Sequence, residues 1–295
     1  MKFLTNKQIG ALYAISSGFL YGFLGYFGIS IVQAGCSVEN MLLWRFIISG
    51  LFIFAIMLYT KKSFHEDYYE MIKAIFYGIA FYGTSSAIWF FSSIYIGTGL
   101  SMVIFFTYPA IVIIFNWILY REKIPKLYYL AISIIIFGMI LLVDIHELSF
   151  DLKGILLGVL SAVFYACYMI ASKGNKKNTR ITPLISTLMV SIGCSITSLI
   201  FTIFDNSFMV PSSLNMWWNI ICVATISTAI PIFLLLEAFK YLTAEEGSIL
   251  SVTEPVFVVL FGILLLGEHI TLTQIIGVAT ILSGALITIF AKEKK

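Results

Sequence analysis

Apolar residues along this chain come in runs of about 20, separated by short polar connections that gather the lysines and arginines. About 20 mainly apolar residues in a helix cross the hydrocarbon core of a bilayer. Ten stretches reach that length: Ile9–Val32, Met41–Thr60, Ile72–Ile94, Gly97–Tyr120, Leu127–Asp144, Gly154–Lys173, Pro183–Phe204, Met216–Phe239, Gly247–Leu266 and Thr271–Ala291. None shows the polar/apolar alternation over about ten residues that a barrel strand needs. The pattern predicts an all-α integral membrane protein with ten transmembrane helices, and no connection is long enough to hold a soluble domain.

Composition agrees. Of 295 residues, 60% are hydrophobic and 11% charged, with a mean hydropathy of +1.00. A soluble domain of this length has no way to hide so much apolar surface. The net charge of +3 is small and sorted by side, which argues against a nucleic-acid partner. With the amino terminus inside, Lys7, Lys61, Lys62, Lys73, Arg121, Lys123, Lys126, Lys173, Lys176, Lys177, Arg180 and Lys240 fall on the cytoplasmic side, with the lysines near both chain ends. Lys153 alone falls outside. The positive-inside rule then puts both termini in the cytoplasm of a cell whose inner (plasma) membrane holds the chain. No cleavable signal is evident, since the first apolar run is long enough to span.

The chain also repeats itself. Tyr95–Ile124 overlays Tyr241–Ile270 without a gap, pairing Tyr95 with Tyr241, Thr107 with Thr253, Pro109 with Pro255 and Glu122 with Glu268. At nearly the same offset, Gly10, Ser17 and Tyr21 of the first helix fall on Gly154, Ser161 and Tyr165 of the sixth, and Gly138 falls on Gly284. Repeats of residues 1–148 and 149–295 follow. Each holds five helices, an odd number, so the halves cross the bilayer in opposite directions as an inverted-topology repeat. Such halves can expose a central site to one side and then to the other.

Tyr21-Gly22 and its image Tyr165-Ala166, Trp44-Arg45-Phe46 opening the second helix, the run Ser248-Ile249-Leu250-Ser251-Val252-Thr253-Glu254-Pro255, and Leu265-Leu266-Gly267-Glu268 together resemble the drug/metabolite transporter superfamily, in its ten-helix EamA-like branch. The family usually has Trp where this chain has Tyr21. The resemblance implies two five-helix bundles around a cavity lined by helices 1, 3, 4, 6, 8 and 9. It also implies transport of amino acids, related metabolites or drugs, more often outward.

Residue chemistry supplies candidates for that cavity. Arg45 lies within a membrane helix, where a charge needs a partner; it suits a carboxylate or phosphate clamp, or else anchors structure. Glu254 lies deeper and precedes Pro255. It suits proton coupling, contact with a substrate amine, or bonding to backbone groups that the proline frees. Pro109 and Pro255 are candidate hinges. In helix 3, Tyr82, Ser85, Ser86 and Trp89 recur at helical spacing with further serines. Thr225 and Thr228 in helix 8, Ser101, Phe105 and Tyr108 in helix 4, Ser248 and Ser251 in helix 9, and Tyr21 and Tyr165 complete a lining of hydroxyls and rings. Such a lining suits a partly apolar organic solute better than an inorganic ion; the same small hydroxyl residues also serve helix packing. Glu237 and Lys240, three apart, are placed to pair on one helix face.

No catalytic constellation is present. His65, His146 and His269 lack partners, the four cysteines show no metal spacing, and no phosphate-binding Gly-Lys-Ser/Thr loop occurs. The expectation is a secondary carrier without metal or cofactor, not an enzyme, exporting a small organic metabolite. An uptake carrier for a nucleoside-like cofactor precursor is the nearest alternative, and a lipid-headgroup flippase or membrane enzyme is the alternative of another class. Monomer and homodimer are equally compatible with the sequence.

Overall fold

In the computed structural model the described residues are 5–61, 67–121, 125–143, 151–173, 181–267 and 269–290. The first repeat contains α1 (Asn6–Tyr21), α2 (Leu24–Gln33), α3 (Val38–Tyr59), α4 (Tyr68–Tyr77), α5 (Thr84–Phe105), α6 (Tyr108–Tyr120) and α7 (Lys126–Leu142). The second contains α8 (Leu152–Lys173), α9 (Pro183–Phe204), α10 (Leu214–Ala224), α11 (Ile230–Ala238), α12 (Ala244–Ser251), α13 (Glu254–Leu266) and α14 (Leu272–Phe290). No strand occurs among the described residues.

Eight helical runs among those residues are long and apolar enough to cross a membrane. The longest, Tyr68–Phe105, holds two spans, because the chain reverses at Gly97, where φ is 76° and ψ 159°. Such a φ favours glycine. The reversal brings Ser101 Oγ to 3.0 Å from Ser92 Oγ, nine residues back, a contact that a continuous helix does not allow. Residues 98–105 with α6 make the fourth span and α7 the fifth, so the total is ten.

The repeat visible in the sequence is visible again in contacts. Ser17 Oγ of α1 donates to the Pro231 carbonyl of α11 at 2.8 Å. Its image, Ser161 Oγ of α8, donates to the Ser85 carbonyl of α5 at 2.9 Å. Gly10 of α1 packs so closely on Tyr241 and Leu242 that an added Cβ would stand 2.8 and 2.7 Å from their side chains. Gly154 of α8 meets the image pair, Tyr95 and Ile96, at 2.6 Å from each. Between the halves, α7 packs along α14, with Gly138 against Gly277 and Gly284 against Ala131. Small residues let these backbones approach, as helices must where lipid offers no hydrophobic drive.

Each repeat is irregular at matching places. The third span carries a π-helical turn at Gly78–Gly83, and the eighth carries one at Thr225–Ala229. The fourth and ninth spans break at Phe106–Thr107 and at Val252–Thr253. The sequence places these bends at Pro109 and Pro255, but the chain turns two residues earlier. Each proline then occupies the first turn of the following helix, where its missing N–H interrupts no hydrogen bond.

Candidate substrate site

The irregularities aim side chains at one place. Tyr82 and Thr228, images of each other, stand on the two π turns, and Tyr108 and Glu254, also images, open α6 and α13. Tyr21 and Tyr165, the third such pair, come from α1 and α8. The rings form one buried cluster. Tyr21 and Tyr82 share a hydrogen bond of 3.1 Å between their hydroxyls. Tyr165 packs edge-on against Tyr108 at 4.7 Å and lies 5.7 Å from Tyr82 and 5.1 Å from Phe105. Trp89 extends the set through Phe105, ring centres 6.4 Å apart.

Arg45 of α3 reaches into this cluster rather than toward headgroups, and is 5% exposed. Its Nε donates to Thr228 Oγ1 at 2.6 Å, and Thr228 donates in turn to the Val223 carbonyl at 2.7 Å, five residues back across the π turn. The guanidinium carbon sits 5.2 Å from the Phe46 ring centre. Both Nη groups lack a hydrogen-bond partner among the described residues. Glu254 is half-buried, lies within electrostatic reach of Arg45, and makes neither hydrogen bond nor ion pair among the described residues. The Tyr165 hydroxyl is likewise uncommitted. The Nη groups of a guanidinium, a carboxyl group and a hydroxyl beside the aromatic cluster thus lack hydrogen-bond partners among the described residues, whereas buried polar groups are ordinarily paired.

The hydroxyl stripe behaves differently. Ser85 Oγ bonds the Ser161 carbonyl at 2.8 Å, and Ser101 closes the α5 reversal onto Ser92. Ser86 bonds back to the Tyr82 carbonyl, Thr225 to Ile221, Ser248 to Glu245 and Ser251 to Gly247. These hydroxyls are committed to helix packing or to their own helix. Ser248 still contributes through its carbonyl, which accepts from Tyr108 Oη at 3.2 Å.

A second polar cluster, on the face where α1 begins, is absent from the sequence reading. Thr243 caps α12, its hydroxyl accepting from the Glu246 backbone N–H while Glu246 Oε2 accepts from the Thr243 N–H. Glu246 Oε1 also takes Lys7 Nζ at 2.8 Å and Tyr128 Oη at 2.7 Å. Its neighbour Glu245 accepts from Asn116 Nδ2 of α6. Thr243-Ala244-Glu245-Glu246 is a capping-box sequence, the signal by which this helix start can be found. Glu237 and Lys240 pair at 2.7 Å, as their spacing predicts. Glu122 and Glu268, paired by the repeat, lie outside the described residues, as do His65 and His146. Among the described residues no group of three or more His, Cys, Asp or Glu is placed to hold a metal ion.

Ten apolar helical spans in two repeats define an all-α multi-pass membrane protein. Residues 8–144 and 152–290 each match the EamA-like transporter family, and the chain belongs to that family. An uncharacterized transporter of Archaeoglobus fulgidus is 30% identical over 174 residues, which is 58% of this chain and 59% of that protein, short of two thirds of its length. The uncharacterized transporter YetK of Bacillus subtilis is 22% identical over 99% of this chain and 90% of its own. A crystal structure titled only as that of a protein superposes with a TM-score of 0.79 at 16% identity, covering 94% of this chain and 95% of that one; this likeness concerns the fold.

Proposed function

We propose that the chain is a secondary carrier for a small organic metabolite with both an acidic and a basic group, amino acids and their relatives foremost. Residues 1–148 and 149–295 act as two bodies that alternate access to the site between them, and net movement is outward across the inner membrane. The single observation that supports this reading is the uncommitted set at the aromatic cluster. The Nη groups of Arg45 suit a substrate carboxylate in fork geometry. Glu254 suits a substrate ammonium, and the rings of Tyr21, Tyr82, Tyr108 and Tyr165 suit the apolar remainder. The matched breaks at Thr107 and Thr253, beside Pro109 and Pro255, serve as hinges.

Purified protein in liposomes, offered radiolabelled amino acids, nucleosides and organic acids, tests the reading. Saturable counterflow of a zwitterion, weakened in Arg45→Gln and in Glu254→Gln, is the expected result. Counterflow of nucleosides alone favours the cofactor-precursor reading, and no counterflow with any solute overturns the carrier.

A further inference from the structure

Image positions in an inverted repeat are equally covered where the two halves meet symmetrically, so a difference between images marks the face on which the halves have closed. Tyr95 and Tyr241 are 36% and 38% exposed, and Ile96 and Leu242 are both at 0%. There the halves agree. A few residues on they part. Every residue of α12, Ala244–Ser251, is buried, whereas of the image residues 98–105 only Ser101 is. The remaining parts of the same two spans differ in the same sense. Val112 and Ile113 of α6 are buried, while their images Val258 and Val259 of α13 are half-buried. Both covered segments, α6 and α12, lie toward the face where α1 begins.

Polar contacts between the repeats hold that face shut. Glu246 Oε1 of α12 takes Lys7 Nζ of α1 at 2.8 Å and Tyr128 Oη of α7 at 2.7 Å. Glu245 accepts from Asn116 Nδ2 of α6. Three helices of the first repeat are thereby tied to one short helix of the second. The image positions do not reproduce this set. They are Asp151 for Lys7, Gln274 for Tyr128, Gly262 for Asn116, and Gly99 and Leu100 for the two glutamates. Asp151 instead accepts from the N–H groups of Lys153 and Gly154 at the start of α8. Gln274 donates to the Leu142 carbonyl at 3.5 Å.

We propose that this is the carrier's resting state, open on the face where α8 begins and latched on the other by Lys7, Tyr128 and Asn116 against α12. Exchange of conformation has to carry α12 away from α1, α6 and α7 and to cover residues 98–105 in its place. The latch is lost in that step, and Gly99 and Leu100 offer no carboxylate with which to build a second one. The empty carrier is therefore biased toward the latched state, whose site faces outward when the amino terminus lies inside. This inference rests on the alternating-access reading above.

Labelling of purified protein in detergent with a water-soluble fluorescent maleimide tests it without any substrate. Ser248→Cys, of nearly unchanged size, reports the latched face, and its image Met102→Cys reports the open one. Met102→Cys is expected to react fast and Ser248→Cys slowly. A hydrogen bond to a charged group shifts an equilibrium roughly tenfold or more, so adding Lys7→Met is expected to speed labelling of Ser248→Cys by about that factor. Tyr128→Phe, which keeps the ring, is expected to act in the same direction by less, and decides if Lys7→Met fails to fold. The native thiols, three of them buried, are expected to keep their rate in both latch variants. Equal rates at Ser248→Cys and Met102→Cys overturn the closed face. A Ser248→Cys rate untouched by the latch variants overturns the latch, and so does an equal rise at the native thiols, which means general loosening. If labelling behaves as expected but no solute shows counterflow, the latch stands and the carrier reading fails.

Discussion

Arg45 Nε lies 2.6 Å from Thr228 Oγ1, so the buried guanidinium is held by one edge, and its two Nη groups have no hydrogen-bond partner among the described residues. The π turn makes this possible, because Thr228 finds the Val223 carbonyl five residues back and turns its oxygen toward α3. A charge-assisted hydrogen bond contributes about 1.5–3 kcal/mol, roughly 10–100-fold in affinity. Arg45→Gln is therefore expected to raise the KM of a carboxylate-bearing substrate by about that factor, and Arg45→Lys by nearly as much, since an ammonium lacks the fork. Thr228→Val removes only the support, and its expected effect on KM is smaller. Counterflow kinetics on the three variants check the order.

Because Ser17–Pro231 and Ser161–Ser85 are images of one hydrogen bond, their loss has matching consequences. Interhelical hydrogen bonds in membranes average about 0.6 kcal/mol. Ser17→Ala is expected to lower stability by about that amount. Ser161→Ala is expected to cost about as much, since the Ser85 hydroxyl donates to the Ser161 backbone carbonyl, which alanine keeps. Thermal unfolding in detergent measures both, and clearly unequal losses contradict the pairing described.

How much of this was readable beforehand depends on what each residue does. Gly10/Gly154 and Tyr95/Tyr241 survive as identities in the repeat because they face each other in two copies of one close contact, where side-chain size is fixed. Spans and repeat could therefore be read from pattern. The stripe of Ser85, Ser86 and Ser101 is open to two readings in sequence. A serine hydroxyl satisfied by a neighbouring carbonyl looks, in sequence, the same as one facing a solute. The π turns were not readable, since they leave no periodic signature in the chain; the one in the third span sets Gly78 and Gly83 closely against α9. Asn116 escaped notice because its partner lies 129 residues away, and no local spacing joins them.

Lys7 and Glu246 bind across 2.8 Å between the start of α1 and the start of α12. Breaking a buried pair from one side leaves its partner uncompensated, about 3–5 kcal/mol in a fully buried case. Lys7 is 24% exposed, and Glu246 keeps Tyr128 and the Thr243 N–H. A smaller loss, about 1–3 kcal/mol, is therefore expected for Lys7→Met. Adding Glu246→Gln is expected to recover part of it, because the neutral amide no longer needs the ammonium. Thermal unfolding of the single and double variants reads the coupling, and strict additivity contradicts it.

The sorting of charge predicts which ends of the spans meet the cytoplasm. Five spans separate Asn6 from the connection before α8, and five is odd, so Asp151 and the amino terminus must lie on opposite faces. Asp205, two spans beyond, returns to the face of Asp151, and Lys240 returns to that of the amino terminus. Native thiols interfere little with a labelling test, since Cys36, Cys194 and Cys222 are buried and Cys167 is half-buried. In intact cells an impermeant thiol reagent is expected to modify Asp151→Cys and Asp205→Cys. Thr60→Cys and Lys240→Cys are expected to react only after the membrane is opened. If Asp151→Cys and Lys240→Cys instead react from the same side, the halves run parallel, and the exchange of conformations that alternating access requires has no symmetry to rest on.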